Sequence, residues 1–301
     1  MAMTTNVALA PAMRPTKGTR PRSRSFWSNA LRRFRQDRVA VVCASILLLI
    51  LVAAIAAPLI APHDPFKTSM VRRLLPIGDS RHWLGTDELG RDLLSRLIYG
   101  GRMSLFMGFM PVVLATLIGG LLGVIAGYCG GAINMGIMRL MDVFYAFPSV
   151  LLAVAISGVL GAGLVNSLVS LTLVFTPPIA RVAESVTTQV RNQDYVEAAR
   201  ATGAAGWRIV FGHVLSNVTG PILIYASSMV SVSIVIASGL SFLGLGVTPP
   251  QAEWGLMLNT LRQSIYVAPV NALLPGVMIF ITSMCSNLIS DSLRSAMDVK
   301  V

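Results

Sequence analysis

The chain has 301 residues, of which 54% are hydrophobic and only 12% charged, with a mean hydropathy of +0.70. Soluble globular proteins carry roughly 25% charged residues, so this share is too small to coat a water-exposed surface of this size and points to a membrane protein. The formal net charge of +11 does not indicate nucleic acid, because nine of the 24 Lys and Arg crowd into the first 38 residues, directly ahead of a long apolar run.

Residues 1–38 form a basic tail, and the Pro-, Thr- and Arg-rich part before Ser25 is expected to be disordered. Basic residues beside a span mark the cytoplasmic side. The uncharged run Val39 to Pro62 supplies a first span at 39–61. It exceeds the apolar core of a cleaved signal, so it is expected to stay on the protein. A connecting segment, 63–102, follows on the outside, with seven basic and five acidic residues. Within it, residues 86–99 read as an amphipathic helix: Thr86 as N-cap, Asp87 and Glu88 in the first turn, Asp87–Arg91 and Asp92–Arg96 as i,i+4 pairs, and Leu89, Leu93 and Leu97 on one face.

A spanning helix needs about 20 apolar residues, and the remaining uncharged runs place spans at 104–127, 135–158, 164–183, 219–245 and 268–290. Six crossings bring both termini to the cytoplasm. Gly119, Gly123 and Gly127 recur every four residues, a spacing that allows close helix packing in lipid, either within the chain or against a partner. Arg139 and Asp142, i,i+3 near a span end, form either an interfacial ion pair or a gating contact. Pro148 and Pro177-Pro178 favour bends. Gly161-Ala162-Gly163 turns the chain between the third and fourth spans. After the fifth span, "GLGVTPPQAEWG" is read as a cap over the outer mouth of a pathway or as an ordinary loop, with Glu253 at a gate or interface and Trp254 as an interfacial anchor.

Several chemistries are missing. No G-x-x-x-x-G-K-[ST] surrounds Lys17, Lys67 or Lys300, so the chain has no P-loop of its own. His63, His82 and His213 lack metal-ligand spacing, and no metal site or catalytic residue is expected. Cys43, Cys129 and Cys285 read as small apolar packing residues. Arg139, Asp142, Arg181 and Glu184 all fall at span ends. An ion-coupled carrier usually needs ionisable groups inside the bundle, so energy must enter elsewhere.

"DYVEAARATGAAGWRIVFGHVLSN", residues 194–217, is the one strongly polar stretch between late spans. Glu197, Ala198, Ala199 and Arg200 favour helix, and Gly203 permits a sharp bend. Trp207, Ile209, Val210, Phe211 and Leu215 give the apolar positions of a second amphipathic segment. The small alanine face admits a close approach by another surface, while Arg200 and Arg208 can bond acids or carbonyls. This is a docking element fixed to two spans.

The same stretch resembles the EAA loop of permease subunits in bacterial ABC importers. Glu197, Ala198, Ala199 and Gly203 fall on its core and His213, Leu215 and Asn217 on its tail, with Ser216 where the family has proline. "WLGTDELGRDLLSRLIYGGRMSL", "MRLMDVFYAFPS", "SFLGLGVTPPQAEWG" and "SDSLRSAMD" resemble signatures of the C-type permeases of dipeptide and oligopeptide importers. The resemblance covers about Phe34 to Asp298. It implies an all-α, six-span type I ABC importer permease fold, with the permease domain at 103–298 and the 194–217 loop coupled to an ATPase subunit. The implied partners are a second permease in a heterodimer, two ATPase subunits that bind ATP and Mg, an external substrate-binding protein and membrane lipid. The 86–99 helix is then either a brace or part of the platform that meets the binding protein. The implied cargo is a di- or oligopeptide. The same machine carrying nickel chelates, glutathione or another small solute is the first alternative. An ion-coupled secondary transporter or a membrane scaffold is an alternative of a different class.

Overall fold

The computed structural model describes residues 34–297, and the expectations for the far N-terminal tail lie outside them. Nine helices of eight or more residues organise the described residues: α1 Arg38–Ile55, α2 Leu93–Cys129, α3 Gly131–Tyr145, α4 Ser149–Leu160, α5 Leu164–Arg191, α6 Asp194–Ala201, α7 Leu215–Phe242, α8 Trp254–Leu261 and α9 Pro269–Met297. A short α-turn at Gly206–Ile209 and a wide π turn at Val210–Val214 lead straight into α7, so helix runs from Gly206 to Phe242.

Five of these helical segments are long and apolar enough to cross a membrane, and the α3–α4 pair makes a sixth if counted as one broken span. α3 and α4 meet at 87°. The expected third span at 135–158 is therefore two short helices. Ala146 ends α3, and Pro148, which cannot donate a backbone hydrogen bond and disfavours helix at the residue before it, opens α4. Pro177 and Pro178, in contrast, are carried inside an unbroken α5.

α2 lies at the centre, packed along α5 and against α1, α3 and α7. The glycine stripe decides this arrangement. A Cβ at Gly119 would lie 2.6 Å from the Thr176 carbonyl oxygen, and one at Gly127 would lie 2.6 Å from that of Glu184. At Gly123 it would stand 2.6 Å from the Ala183 Cβ. The stripe is thus a seam inside the subunit, where bare glycines let two backbones touch. Ile179, Ala180 and Ala183 on the α5 side are buried. The main hydrophobic core joins these helices to α7 through Met107, Phe175, Ile222 and Ile234.

The start of α2 differs from expectation. Helix begins at Leu93, capped by Asp92, whose Oδ2 accepts from the Ser95 backbone N–H at 2.8 Å. Thr86 instead lies in extended backbone, pairs with Asp92 as an isolated bridge, and is fully buried. Its hydroxyl accepts from the Leu75 N–H and donates to the Arg72 carbonyl, and Asn271 of α9 donates to the Leu75 and Thr86 carbonyls. The 86–92 stretch is a loop because its short polar side chains bond the backbone locally, the competition that disfavours helix interiors. The Asp87–Arg91 pair forms at 2.6 Å within that loop, but Asp92–Arg96 does not form. Arg96 turns to Asp87 and donates to the carbonyls of Pro65 and Gln251.

Trp254 is a second correction. It is fully buried, so it anchors the core and not a lipid interface. Its indole N–H donates to the Leu97 carbonyl at 2.9 Å, and its ring lies where side chains on Gly100 and Gly101 would otherwise stand. With Leu93, Leu97, Met257, Leu261 and Ala272 it forms a smaller core at this end of the bundle. Glu253 is likewise buried as the N-cap of α8 and not exposed at a gate: its carboxylate accepts from the N–H groups of Gly255 and Leu256 and from the Ser104 hydroxyl. It lies in the connection between spans, and burial pushes its carboxyl above the ordinary value against the pull of those donors. Cys43 of α1 and Cys285 of α9 are buried side by side as free thiols, and Cys129 is exposed.

Candidate functional site

The 194–217 segment lies at the opposite end of α2 from this smaller core. α6 places Asp194 and Glu197 in its first turn and Arg200 in its last, each sign matching the helix dipole. The helix then closes with the Gly203 N–H bonded to the Arg200 carbonyl at 2.9 Å and the Ala204 N–H to that of Ala199 at 3.1 Å. Gly203 has φ +79°, a left-handed conformation that glycine adopts at least cost. The chain reverses there and re-enters helix at Gly206.

Three apolar side chains pin this elbow to the bundle. Val196, Ile209 and Val214 are all within 1% of full burial and belong to the main core. The end of α2 adds polar ties. The Arg200 guanidinium lies 5.6 Å from the Tyr128 ring, whose hydroxyl donates to the Gly206 carbonyl at 3.4 Å. Arg191, at the end of α5, donates to the carbonyls of Gly127 and Tyr128. Asn217 donates to the His213 carbonyl at 2.6 Å.

The residues on the EAA-like pattern face outward. Glu197, Ala198, Arg200, Gly203, His213, Leu215 and Asn217 are exposed, and Ala199 is half-buried. The apolar positions of the second half divide: Ile209 faces the core, whereas Trp207 and Phe211 are 63% and 67% exposed. The sequence suggested one amphipathic face. Trp207 faces outward from the Gly206–Ile209 turn, and in the wide turn at Val210–Val214 Phe211 faces outward while Val214 stays in. The helix also continues through Ser216, where a proline could have interrupted it. The result is a rigidly mounted surface with an acid, a small-residue face and two protruding aromatic rings.

A second group of predicted residues lies at the kink between α3 and α4. Asp142 contacts the Arg181 guanidinium of α5, while Arg139 reaches it only at 4.0 Å and is 80% exposed. The expected i,i+3 pair is therefore secondary to a contact between helices. The Arg181 guanidinium also lies 4.6 Å from the Tyr145 ring. Beside it, Phe144, Phe147, Phe175 and Tyr225 line an open cavity of about 340 Å³. Tyr225 also borders a larger one of about 880 Å³, reaching Asn217 and Arg294. Tyr225 is thus shared by the cavity at the kink and by the one that reaches the end of the 194–217 segment. Sequence reading placed Asp142 but not Arg181 or Tyr225 here, because their partners lie 39 or more residues away. His63 and His82, 19 residues apart and without ligand spacing, also meet in the fold, at 4.7 Å between ring centroids.

Residues 119–301 match the family model described as "Binding-protein-dependent transport system inner membrane component", and residues 25–76 match the "N-terminal TM domain of oligopeptide transport permease C". The chain is 39% identical over 295 residues to the glutathione transport system permease protein GsiD of Pectobacterium atrosepticum, covering 98% of this chain and 96% of that one. It is 38% identical to the dipeptide transport system permease protein DppC of Alkalihalophilus pseudofirmus, and 40% identical to the di/tripeptide transport system permease protein DppC of Pseudomonas aeruginosa. Each match covers 97% of both chains. Its fold matches a chain of the inward-facing MetNI methionine ABC transporter with a TM-score of 0.55 at 18% identity, over 68% of this chain and 97% of that one. An all-helical bundle with a sharply bent helix pair and an outward-facing EAA-like elbow, these relatives and that shared fold lead to one conclusion: the chain belongs to the binding-protein-dependent inner-membrane permeases, in the peptide-importer branch of the ABC transporters.

Proposed function

We propose that this permease forms a translocation pathway for di- or oligopeptides together with a second, related permease, and that two separate ATPase subunits drive it through the 194–217 elbow. Both termini and the elbow face the cytoplasm, and the 63–92 loop and α8 face the outside, where a substrate-binding protein delivers cargo. The observation that carries the reading is the mounting of the elbow. Its recognition residues are exposed while Val196, Ile209 and Val214 are sunk in the core. A surface held that firmly passes displacement to α5 and α7 instead of absorbing it. ATP and Mg bind on the ATPase partners, since this chain carries no P-loop sequence. The permease itself contributes no catalytic group. Glu197, Ala198, Ala199, Arg200 and Gly203 meet the ATPase, with His213, Leu215 and Asn217 shaping the exit into α7.

The cargo reading rests on relatives whose names specify dipeptides, di- and tripeptides and glutathione, all at similar identity. The Asp142–Arg181 contact and the aromatic groove beside it give the pathway both charge and stacking surface, suited to a zwitterionic peptide. The test uses the whole transporter in proteoliposomes. Glu197→Lys and Gly203→Pro are expected to abolish ATP-driven uptake and co-purification of the ATPase while membrane insertion stays normal. Uptake by the reconstituted chain alone, driven by an ion gradient, would instead establish a secondary transporter.

A further inference from the structure

We propose that His63, His82 and Asp92 form a binding site for one divalent transition ion of zinc-like ligand preference. The three come from separate parts of the chain: His63 from the segment after α1, His82 from the loop, and Asp92 from the cap of α2. Their ligand atoms all lie within 4.8 Å of one another. The His82 Nδ1 is 2.9 Å from the Asp92 Oδ1, and the His63 Nδ1 is 3.7 Å from the same oxygen. Ligand atoms about 2.0–2.1 Å from a tetrahedral zinc stand roughly 3.3 Å apart, and the two distances bracket that spacing. Two imidazoles and one carboxylate, with a fourth position left for water, is an established zinc ligand set.

Two further observations point to a ligand. The His63 Nδ1 is shielded from solvent yet has no hydrogen-bond partner. A buried imidazole nitrogen left unpaired is costly, and a metal would satisfy it. The surroundings are also built to hold these three groups. The Asp92 Oδ2 accepts from both the N–H and the hydroxyl of Ser95, which leaves Oδ1 for the site. The His63 N–H donates to that same Ser95 hydroxyl oxygen at 3.1 Å, and the His82 N–H donates to the Asp79 carboxylate. Such outer contacts orient metal ligands. His63 also borders an open cavity of about 450 Å³ with Pro58, Pro62 and Tyr99, which gives an ion a way in.

Arg72 sets the opposing term. Its Nη1 lies 3.5 Å from the His82 Nε2, which favours the tautomer with the proton on Nδ1, donated to Asp92. Metal binding needs the Nδ1 lone pair, so the proton moves to Nε2 and Arg72 must swing aside. Without the ion, the cluster is a His–Asp hydrogen bond held by Arg72. With it, three chain segments are joined at one point.

The test uses the purified full-length chain in detergent, carrying a tag without histidine, stripped with chelator and titrated with Zn²⁺ or Co²⁺ alone. Binding of about one zinc per chain is expected, and Co²⁺ is expected to give the visible absorption of a low-coordinate site. His63→Asn is expected to weaken Zn²⁺ binding by about tenfold or more while the elution profile stays that of the wild type. Arg72→Gln, whose amide oxygen can accept from Nε2–H, is expected to tighten binding several-fold. This variant keeps the test decisive if a histidine variant fails to fold. Absence of stoichiometric zinc in both the wild type and Arg72→Gln overturns the proposal, as does equal zinc content in wild type and His63→Asn.

Discussion

Gly119→Ala tests the seam between α2 and α5. A Cβ there would stand 2.6 Å from the Thr176 carbonyl oxygen, 3.2 Å from the Ala180 nitrogen and 3.4 Å from the Thr176 carbonyl carbon. All three are backbone atoms of one helix, so no side chain can rotate away, and the helices must separate by several tenths of an ångström along their contact. Overpacking of this kind costs typically about 1–3 kcal/mol, and unyielding backbone puts this site in the upper half of that range. Alanine also gains roughly 1 kcal/mol of helix propensity over glycine. Gly136→Ala in α3 is the control, because nothing lies within 4 Å of its would-be Cβ. The propensity gain is common to both variants and cancels in their difference. Gly119→Ala is therefore expected to be about 2–3 kcal/mol less stable than Gly136→Ala, roughly 30- to 150-fold in the folding equilibrium. Denaturation of the purified chain in mixed micelles with increasing sodium dodecyl sulfate, followed by circular dichroism, measures it. Equal stability of the two variants would refute the reasoning that bare backbone contact holds α2 against α5.

Glu253 predicts a pH dependence. Its carboxyl is raised by burial, so the folded state holds the proton more tightly than the unfolded chain. Its stabilising contribution is then complete below the ordinary carboxylate value of 4.5 and is lost as pH rises through the raised one; Glu253→Gln is expected to flatten that part of the unfolding profile. Trp254→Ala, which empties a fully buried site, is expected to cost about 3–5 kcal/mol in the same micelle assay. Trp254→Phe should cost less than half of that, because only the bond to Leu97 and part of the ring are lost. Asp142→Asn and Arg181→Gln break a contact whose partners are 42% and 46% exposed, so stability is expected to change by at most about 1 kcal/mol. Uptake by the assembled transporter is nevertheless expected to fall several-fold, and the exchange Asp142→Arg with Arg181→Asp to restore part of it.

The membrane class, most spans and the 194–217 elbow were legible because each rests on local signals: uncharged run length, a helix-forming tetrad and a glycine at a bend. The kink at Pro148 was foreseen as a bend, but its 87° was not, since a proline permits a break whose angle is set by what packs around it. Residues 86–92 misled for a physical reason. Acids followed four residues later by arginines fit a helix, but the same short side chains close a loop once Thr86, Asp87 and Asp92 find backbone partners. Trp254 reads as an interfacial anchor and Glu253 as a gate or interface residue because proline and glycine surround them. Their burial depends on Leu97, Gly100 and Ser104, about 150 residues earlier in the chain. Likewise Arg181, Tyr225 and the His63–His82 meeting arise from pairings between distant segments that no local pattern encodes.

α2 is an unbroken helix of 37 residues, about 55 Å from end to end at 1.5 Å per residue. Its final turn bears on the elbow through Tyr128, and its first turn supports the Trp254 core and the Asp92 cap. A stiff strut of that length magnifies rotation: pivoting by about 5° near one tip sweeps the other through roughly 5 Å. The end of the bundle far from the elbow can therefore change shape without any residue there altering its own conformation.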